Sequence, residues 1–134
     1  APPLPRYGEP VSTNLSVGRR AELMAAAYLV RERRRLVGRN VRVGRGDLDI
    51  IARRDGVLAF VEVKARRSAT CGSPEDAVDS RKRRQVARLA ELWMAVHPWA
   101  LRGVTEVRFD IIAVETSTTP GQLRHLPAAF TADD

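Results

Sequence analysis

The sequence predicts a mixed α/β domain in which helices flank a central sheet. Three observations carry this reading. A stretch beginning at Ser16 repeats its apolar residues at helical spacing. Two runs rich in Ile, Val, Leu and Phe are joined by Asp55-Gly56. A second helical pattern is followed by one more apolar run.

The first helix is expected over Ser16 to about Val37. Leu15, Ala21, Met24, Ala25, Tyr28, Leu29 and Leu36 form its apolar face, and Gly38 is the expected stop. A strand near Asn40–Val43 closes at Gly44-Arg45-Gly46. Asp47–Arg54 and Val57–Arg67 then read as a hairpin, because Asp-Gly between apolar runs is a strong two-residue turn signal. Ser68–Ser73 is loop-like, and Pro74 to Val78 forms a turn or short helical start. Asp79 or Ser80 caps the second helix, which runs to about Val96 and ends at His97-Pro98. Val86, Leu89, Ala90, Trp93 and Met94 line one side of it. Val104–Glu115 is a strand, apolar enough to be central, and Gly121–Phe130 adds a short last one. The order is helix, three strands, helix, strand and a short C-terminal strand.

A chain of 134 residues suits one domain. Residues 1–14 are a proline-rich, flexible lead-in, 15–130 the domain and 131–134 a tail. No run is long enough to span a membrane, and the start, Ala1-Pro2-Pro3-Leu4-Pro5-Arg6, lacks the apolar region of a secretory signal. Cys71 is the single cysteine, so no internal disulfide forms and a cytoplasmic setting is expected. The net charge is +7 and the pI about 10.9, which favours polyanionic partners. The basic residues cluster around Arg31–Arg35, Arg53-Arg54, Arg66-Arg67 and Arg81–Arg84, pointing to nucleic acid. Lys64 and Lys82 are the only lysines among 23 basic residues. A lysine that persists in an arginine-using chain suggests a need for a compact ammonium.

The hairpin carries the chemistry. With Arg54 opposite Val57, Asp49 falls opposite Glu62 and Asp47 opposite Lys64. Alternation then puts all four side chains on one face. Opposed carboxylates with Cβ atoms roughly 5 Å apart repel, and charge inside apolar strands is costly. A divalent cation would compensate. Lys64 would offset part of the charge too, and an exposed face of mixed charge is the plainer alternative.

Asp49 followed by Glu62-Val63-Lys64 resembles the PD-(D/E)xK nuclease superfamily. More closely, the chain resembles the YraN-like family of predicted endonucleases, distantly related to Holliday-junction resolvases. The resemblance rests on Gly18-Arg19-Arg20-Ala21-Glu22, Gly46-Asp47-Leu48-Asp49-Ile50-Ile51, Phe60-Val61-Glu62-Val63-Lys64-Ala65-Arg66 and Arg108-Phe109-Asp110. Leu48 replaces the proline of the superfamily motif, and Asp47 stands where the closer family usually has glutamate.

The resemblance implies a restriction-endonuclease-like core and metal-dependent hydrolysis of DNA, with branched or structured DNA as the suggested substrate. It implies Mg²⁺ or Mn²⁺ held by Asp49, Glu62 and the Val63 carbonyl, with Asp47 as a further candidate ligand. Lys64 would orient or help deprotonate the attacking water, and Glu22 would reach in from the first helix. An ordinary helix acid is the alternative for Glu22. Lys82 and Gln85 share a helix face and would support the site or touch DNA. Arg66, Arg67, Arg83, Arg84 and Arg88 are candidate phosphate contacts. A homodimer, as in resolvases, would serve two strands.

The alternative function is a non-catalytic nucleic-acid-binding module on the same fold. His97, His125 and Asp110 read as structural, the last paired with an arginine. Trp93 reads as core, while Trp99 either packs or stays exposed, with base stacking the lesser reading.

Overall fold

The computed structural model describes residues 4–12, 14–66, 78–117 and 121–133. The elements run α1 (Val17–Arg31), β1 (Arg35–Val43), β2 (Gly46–Arg54), β3 (Val57–Arg66), α2 (Ser80–Val96), a 3₁₀ turn (Pro98–Leu101), β4 (Glu106–Glu115) and β5 (Gln122–Phe130). The strands form one five-stranded sheet in the order β1-β2-β3-β4-β5. Only β3 and β4 are parallel. That pairing needs a crossover, and α2 lies within it. The result is the expected α/β architecture of the restriction-endonuclease-like type. Among the described residues no helix is long and apolar enough to cross a membrane.

Each sheet face has its own core. One, under α2, contains Leu48, Ile51, Leu58, Phe60, Leu89 and Trp93. The other, under α1, contains Ala25, Leu29, Ile50, Val61, Ile112 and Val114. The central strands β3 and β4 are buried on both faces, which explains their near-continuous apolar sequences. Ahead of α1, Leu4 packs against the α1-side core, and the Tyr7 ring meets Tyr28 at 5.6 Å.

Helix α1 ends six residues before the expected Val37. Arg33 adopts a left-handed conformation, φ 63°. The Arg34 N–H donates to Leu29 O at 2.9 Å and the Arg33 N–H to Val30 O at 3.0 Å. This is a Schellman stop with arginine in the position glycine usually takes. The chain therefore enters β1 at Arg35, earlier than Asn40. The last strand, Gln122–Phe130, falls within the expected Gly121–Phe130.

The hairpin register holds from Arg54↔Val57 to Ile50↔Val61 and goes no further. The two-residue turn has Asp55 at φ 52°. A Cβ at Gly56 would meet Thr105 Oγ1 at 2.6 Å, so any other residue there would push that side chain aside. The Gly56 carbonyl accepts from the Thr105 N–H at 2.8 Å and fastens the hairpin tip to the start of β4.

Asp110 is fully buried in β4. Arg108 donates to it through Nε at 2.9 Å and a terminal nitrogen at 3.0 Å. The Ala128 N–H donates at 3.0 Å, and His125 Nε2 lies at 2.7 Å. An ionised carboxylate only accepts, so the His125 proton sits on Nε2 and Nδ1 takes the Tyr28 hydroxyl at 2.9 Å. Burial pushes the Asp110 carboxyl up, but the bonds from His125, Arg108 and Ala128 outweigh it and hold it at about 2. The pairing with an arginine is as expected, and His125 is part of the same structural network.

Removing Asp110 would leave buried donors unmatched. Asp110→Ala is expected to cost roughly 3–5 kcal/mol in urea denaturation. The folded-state value lies below the unfolded one. The Asp110 contribution, roughly 2 kcal/mol, is therefore present above about pH 4 and is lost as pH falls toward 2. A wild type and variant with equal stability at neutral pH would contradict both statements.

Candidate active site

A cleft of about 420 Å³ opens where β2 and β3 part, between the first turn of α1 and that of α2. Glu22, Asp49, Glu62, Lys64 and Lys82 contribute to its wall, with Val63 and Gly18.

Its geometry begins with Asp49. Leu48 packs in the core under α2, whereas Ile50, two residues on, packs in the core under α1. Strict alternation would put both on one face, so β2 rolls over at Asp49. On the neighbouring strand Asn40 has φ 50°, between the pairs Arg39↔Ile50 and Val41↔Leu48. Left-handed backbone is easier for asparagine than for most residues. On the other side the Val63 N–H donates to Asp49 Oδ2 at 2.8 Å. The Asp49 side chain thus occupies a donor just beyond the point where the β2–β3 ladder ends.

Glu62 is on the α2 side of β3, and its side chain is only 9% exposed. The Lys82 ammonium lies 3.6 Å from Glu62 Oε1. Lys82 is placed by the helix cap, in which its N–H donates to the Asp79 carboxylate at 2.9 Å. Burial, then the Asp49 charge, push the Glu62 carboxyl up to about 8, against the pull of Lys82. Burial also raises Asp49, with the Val63 N–H and Lys82 opposing.

Glu22 enters from α1. Its Oε2 lies 3.5 Å from Arg19. With the Asn40 amide oriented to satisfy both neighbours, its nitrogen donates to Glu22 Oε2 at 2.8 Å and its oxygen accepts from Arg19 at 2.8 Å. Burial, then Asp49, raise the Glu22 carboxyl. Neither Asn40 nor Arg19 was anticipated as a site residue. An asparagine within a strand, a residue type that strands disfavour, was the one available signal.

The structure therefore brings together Asp49, Glu62, Val63, Lys64 and Glu22, and of the two readings given for Lys82 it places the ammonium against Glu62. Both lysines of the chain line this one cleft. Lys64 is exposed. The expected placement of Asp47 is corrected. Because the strand rolls at Asp49, Asp47 does not share its face, and it sits exposed with Arg42 at 3.5 Å, outside the cleft. Gln85 is also elsewhere, near Gly46 at the β1–β2 turn.

Arg83 donates to Val78 O at 2.7 Å and lies over the Phe130 ring at 5.7 Å, so it ties the α2 start to β5. Arg84 and Arg88 are exposed on α2, and Arg66 is half-buried at the end of β3. Arg67, Cys71 and the expected loop and turn between Ser68 and Ala77 lie outside the described residues.

The donor set is oxygen only. Among the described residues, no group of three or more His, Cys, Asp or Glu side chains is placed to hold a metal ion. Two carboxylates remain, Asp49 and Glu62. Mg²⁺ often binds through one or two carboxylates and keeps several waters, so the pair fits such an ion.

The family model described as "Uncharacterised protein family UPF0102" matches residues 21–114. The chain belongs to the UPF0102 family. This is the YraN-like group that its motifs resemble. A UPF0102 protein of Syntrophotalea carbinolica is 40% identical over 119 residues, covering 89% of this chain and 94% of the relative. One from Geobacter sulfurreducens is 40% identical over 126 residues, covering 92% and 94%. One from Nocardia farcinica is 39% identical over 125 residues, covering 90% and 93%. The UPF0102 match runs from α1 into β4 and so contains Glu22, Asp49, Glu62, Lys64 and Lys82.

A carboxyl raised on folding binds its proton more tightly in the folded state. The wild type is therefore expected to lose stability as pH rises from about 4.5 to about 8. Glu62→Gln should flatten that decline in thermal denaturation. Parallel pH profiles for the two proteins would show that Glu62 is not the strained group.

Proposed function

We propose that this UPF0102 protein is a metal-dependent endonuclease that hydrolyses phosphodiester bonds in DNA. The observation that carries the reading is the pair of half-buried Asp49 and buried Glu62, disfavoured as two anions yet held together at an open cleft with both lysines. Strain of this kind is characteristic of functional sites. The strongly basic chain supplies the general attraction to a polyanion.

Asp49 and Glu62 would hold Mg²⁺ or Mn²⁺. A bound divalent ion stabilises charge on phosphate oxygens and makes a bound water more acidic. Asp49 is oriented for this by the Val63 N–H, and the Val63 carbonyl is the proposed third ligand. Glu62 must give up its proton for a cation to bind, so binding should release a proton near neutral pH. Lys64, exposed at the cleft rim, would meet the scissile phosphate and help orient or deprotonate the attacking water. Lys82 holds Glu62 in place. Glu22, with a raised carboxyl, would accept or return a proton at the far wall.

The resolvase resemblance extends the reading to branched or structured DNA, and a homodimer would offer two sites to two strands. Arg66, Arg84 and Arg88 are proposed to position the backbone.

The second reading is a nucleic-acid-binding module that does not cleave. The contact of Lys82 with Glu62 favours it, because the pair already has a counter-charge.

Cleavage of single-stranded, duplex, flapped and four-way-junction DNA with Mg²⁺ or Mn²⁺ separates the two. Turnover that depends on metal and falls by about 10²-fold or more in Asp49→Ala and Lys64→Ala is expected of the nuclease. Binding without cutting, unaltered by either substitution, is expected of the module.

A further inference from the structure

A second cleft, of about 600 Å³, shares no lining residue with the acidic one. It lies at the far end of β2, beside the Asp55-Gly56 turn. Arg33, Arg35, Arg53, Arg54 and Arg102 line it, with Trp99 and a single carboxylate, Asp55.

Three separate segments build it. The Schellman stop after α1 turns the chain at Arg33, φ 63°, and delivers Arg35. The hairpin supplies Arg53 and Arg54, and the link between α2 and β4 supplies Trp99 and Arg102. Two of the arginines are held by neutral acceptors. Arg53 Nε donates to Asp55 O at 2.9 Å and a terminal nitrogen to Ala100 O at 3.2 Å. Arg54 donates to Glu32 O at 3.1 Å. Backbone carbonyls orient a guanidinium without cancelling its charge. Among the described residues none of these five arginines forms an ion pair. The cleft is strongly positive, and part of it is preorganised.

Trp99 is 57% exposed. It is held edge-on, its ring 6.0 Å from that of Trp93 and 5.9 Å from that of His97. A large exposed aromatic ring fixed among unpaired guanidinium groups is the combination that binds single-stranded nucleic acid: charge follows the backbone and the ring takes a base. An acidic peptide would use the arginines but has no need of an indole. A duplex keeps its bases paired and away from the ring.

We propose that this cleft binds an unpaired nucleotide segment, with a base stacked on Trp99 and phosphates on Arg33, Arg35, Arg53, Arg54 and Arg102. The inference rests on nucleic acid being the partner, as read above, but not on cleavage. Arg53 lies four residues beyond Asp49 along β2, about 13 Å. Even at the stacked spacing of about 3.4 Å per nucleotide, a few nucleotides span that distance. A substrate with an unpaired stretch near the cut would suit both.

The test is a titration of the full chain with an oligothymidylate of about 15 nucleotides, in EDTA at low salt, followed by tryptophan fluorescence and by anisotropy of a labelled oligonucleotide. Quenching is expected in the wild type. Trp99→Ala should weaken binding roughly 5- to 100-fold, and Trp99→Phe should retain most of it. Arg35→Ala combined with Arg102→Ala should lower the salt slope by about 1.4, two phosphate contacts on a single strand. This pair keeps the test decisive if Trp99→Ala fails to fold.

Wild-type binding that neither Trp99→Ala nor the arginine pair alters would overturn the cleft while leaving the nuclease reading intact. Poly-glutamate that binds and quenches as well as the oligonucleotide would replace the partner with an acidic polypeptide. Absence of any nucleic-acid binding would sink both readings. Stacking on Trp99 with no cleavage of any substrate would remove the nuclease and keep this site.

Discussion

One hydrogen bond organises the cleft: the Val63 N–H donates to the Asp49 carboxylate at 2.8 Å. A charged acceptor makes this worth roughly 1.5–3 kcal/mol, and it holds Asp49 against β3 just where the backbone ladder ends. Because β2 rolls over at this residue, Leu48 can serve the core under α2 and Ile50 the core under α1. The left-handed Asn40 alongside sends its amide to Glu22 and Arg19 instead of continuing a flat strand. The acids from β2, β3 and α1 converge because the β2–β3 pairing ends there.

Two buried acids show how differently a protein can treat the same group. Asp110 accepts from Arg108, His125 and the Ala128 N–H, and its carboxyl stays at about 2. Glu62 has one ammonium at 3.6 Å and an anionic neighbour, and its carboxyl rises to about 8. Both pay for desolvation, but only Asp110 has enough donors to offset it. Asp110 is accordingly part of the framework joining α1, β4 and β5. Glu62 is left without enough donors, the state in which a divalent cation, as proposed, would be favourable. The division of basic residues runs parallel to this. Arginine serves the structural network and the far cleft, with Arg19 against Glu22, while both lysines line the acidic cleft.

Much of this was legible in the chain. Apolar period and the Asp55-Gly56 turn located both helices and the five strands, and the turn set the pairing from Arg54↔Val57 to Ile50↔Val61. That register was enough to bring Asp49 and Glu62 together. Local period failed at Asp47, because alternation assumes a strand that does not roll. It also overran α1, since the left-handed stop is Arg33 and not a glycine, and arginine does not advertise that conformation.

The sequence by itself determined the order of elements, the basic surface and the acid pair across the hairpin, because these depend on spacing within a few residues of a turn. Tertiary structure decided which cation meets Glu62, which acid is left outside the cleft, and that Arg33, Arg54, Trp99 and Arg102 share one hollow. Those depend on where separate segments pack against the sheet, and no local period encodes that.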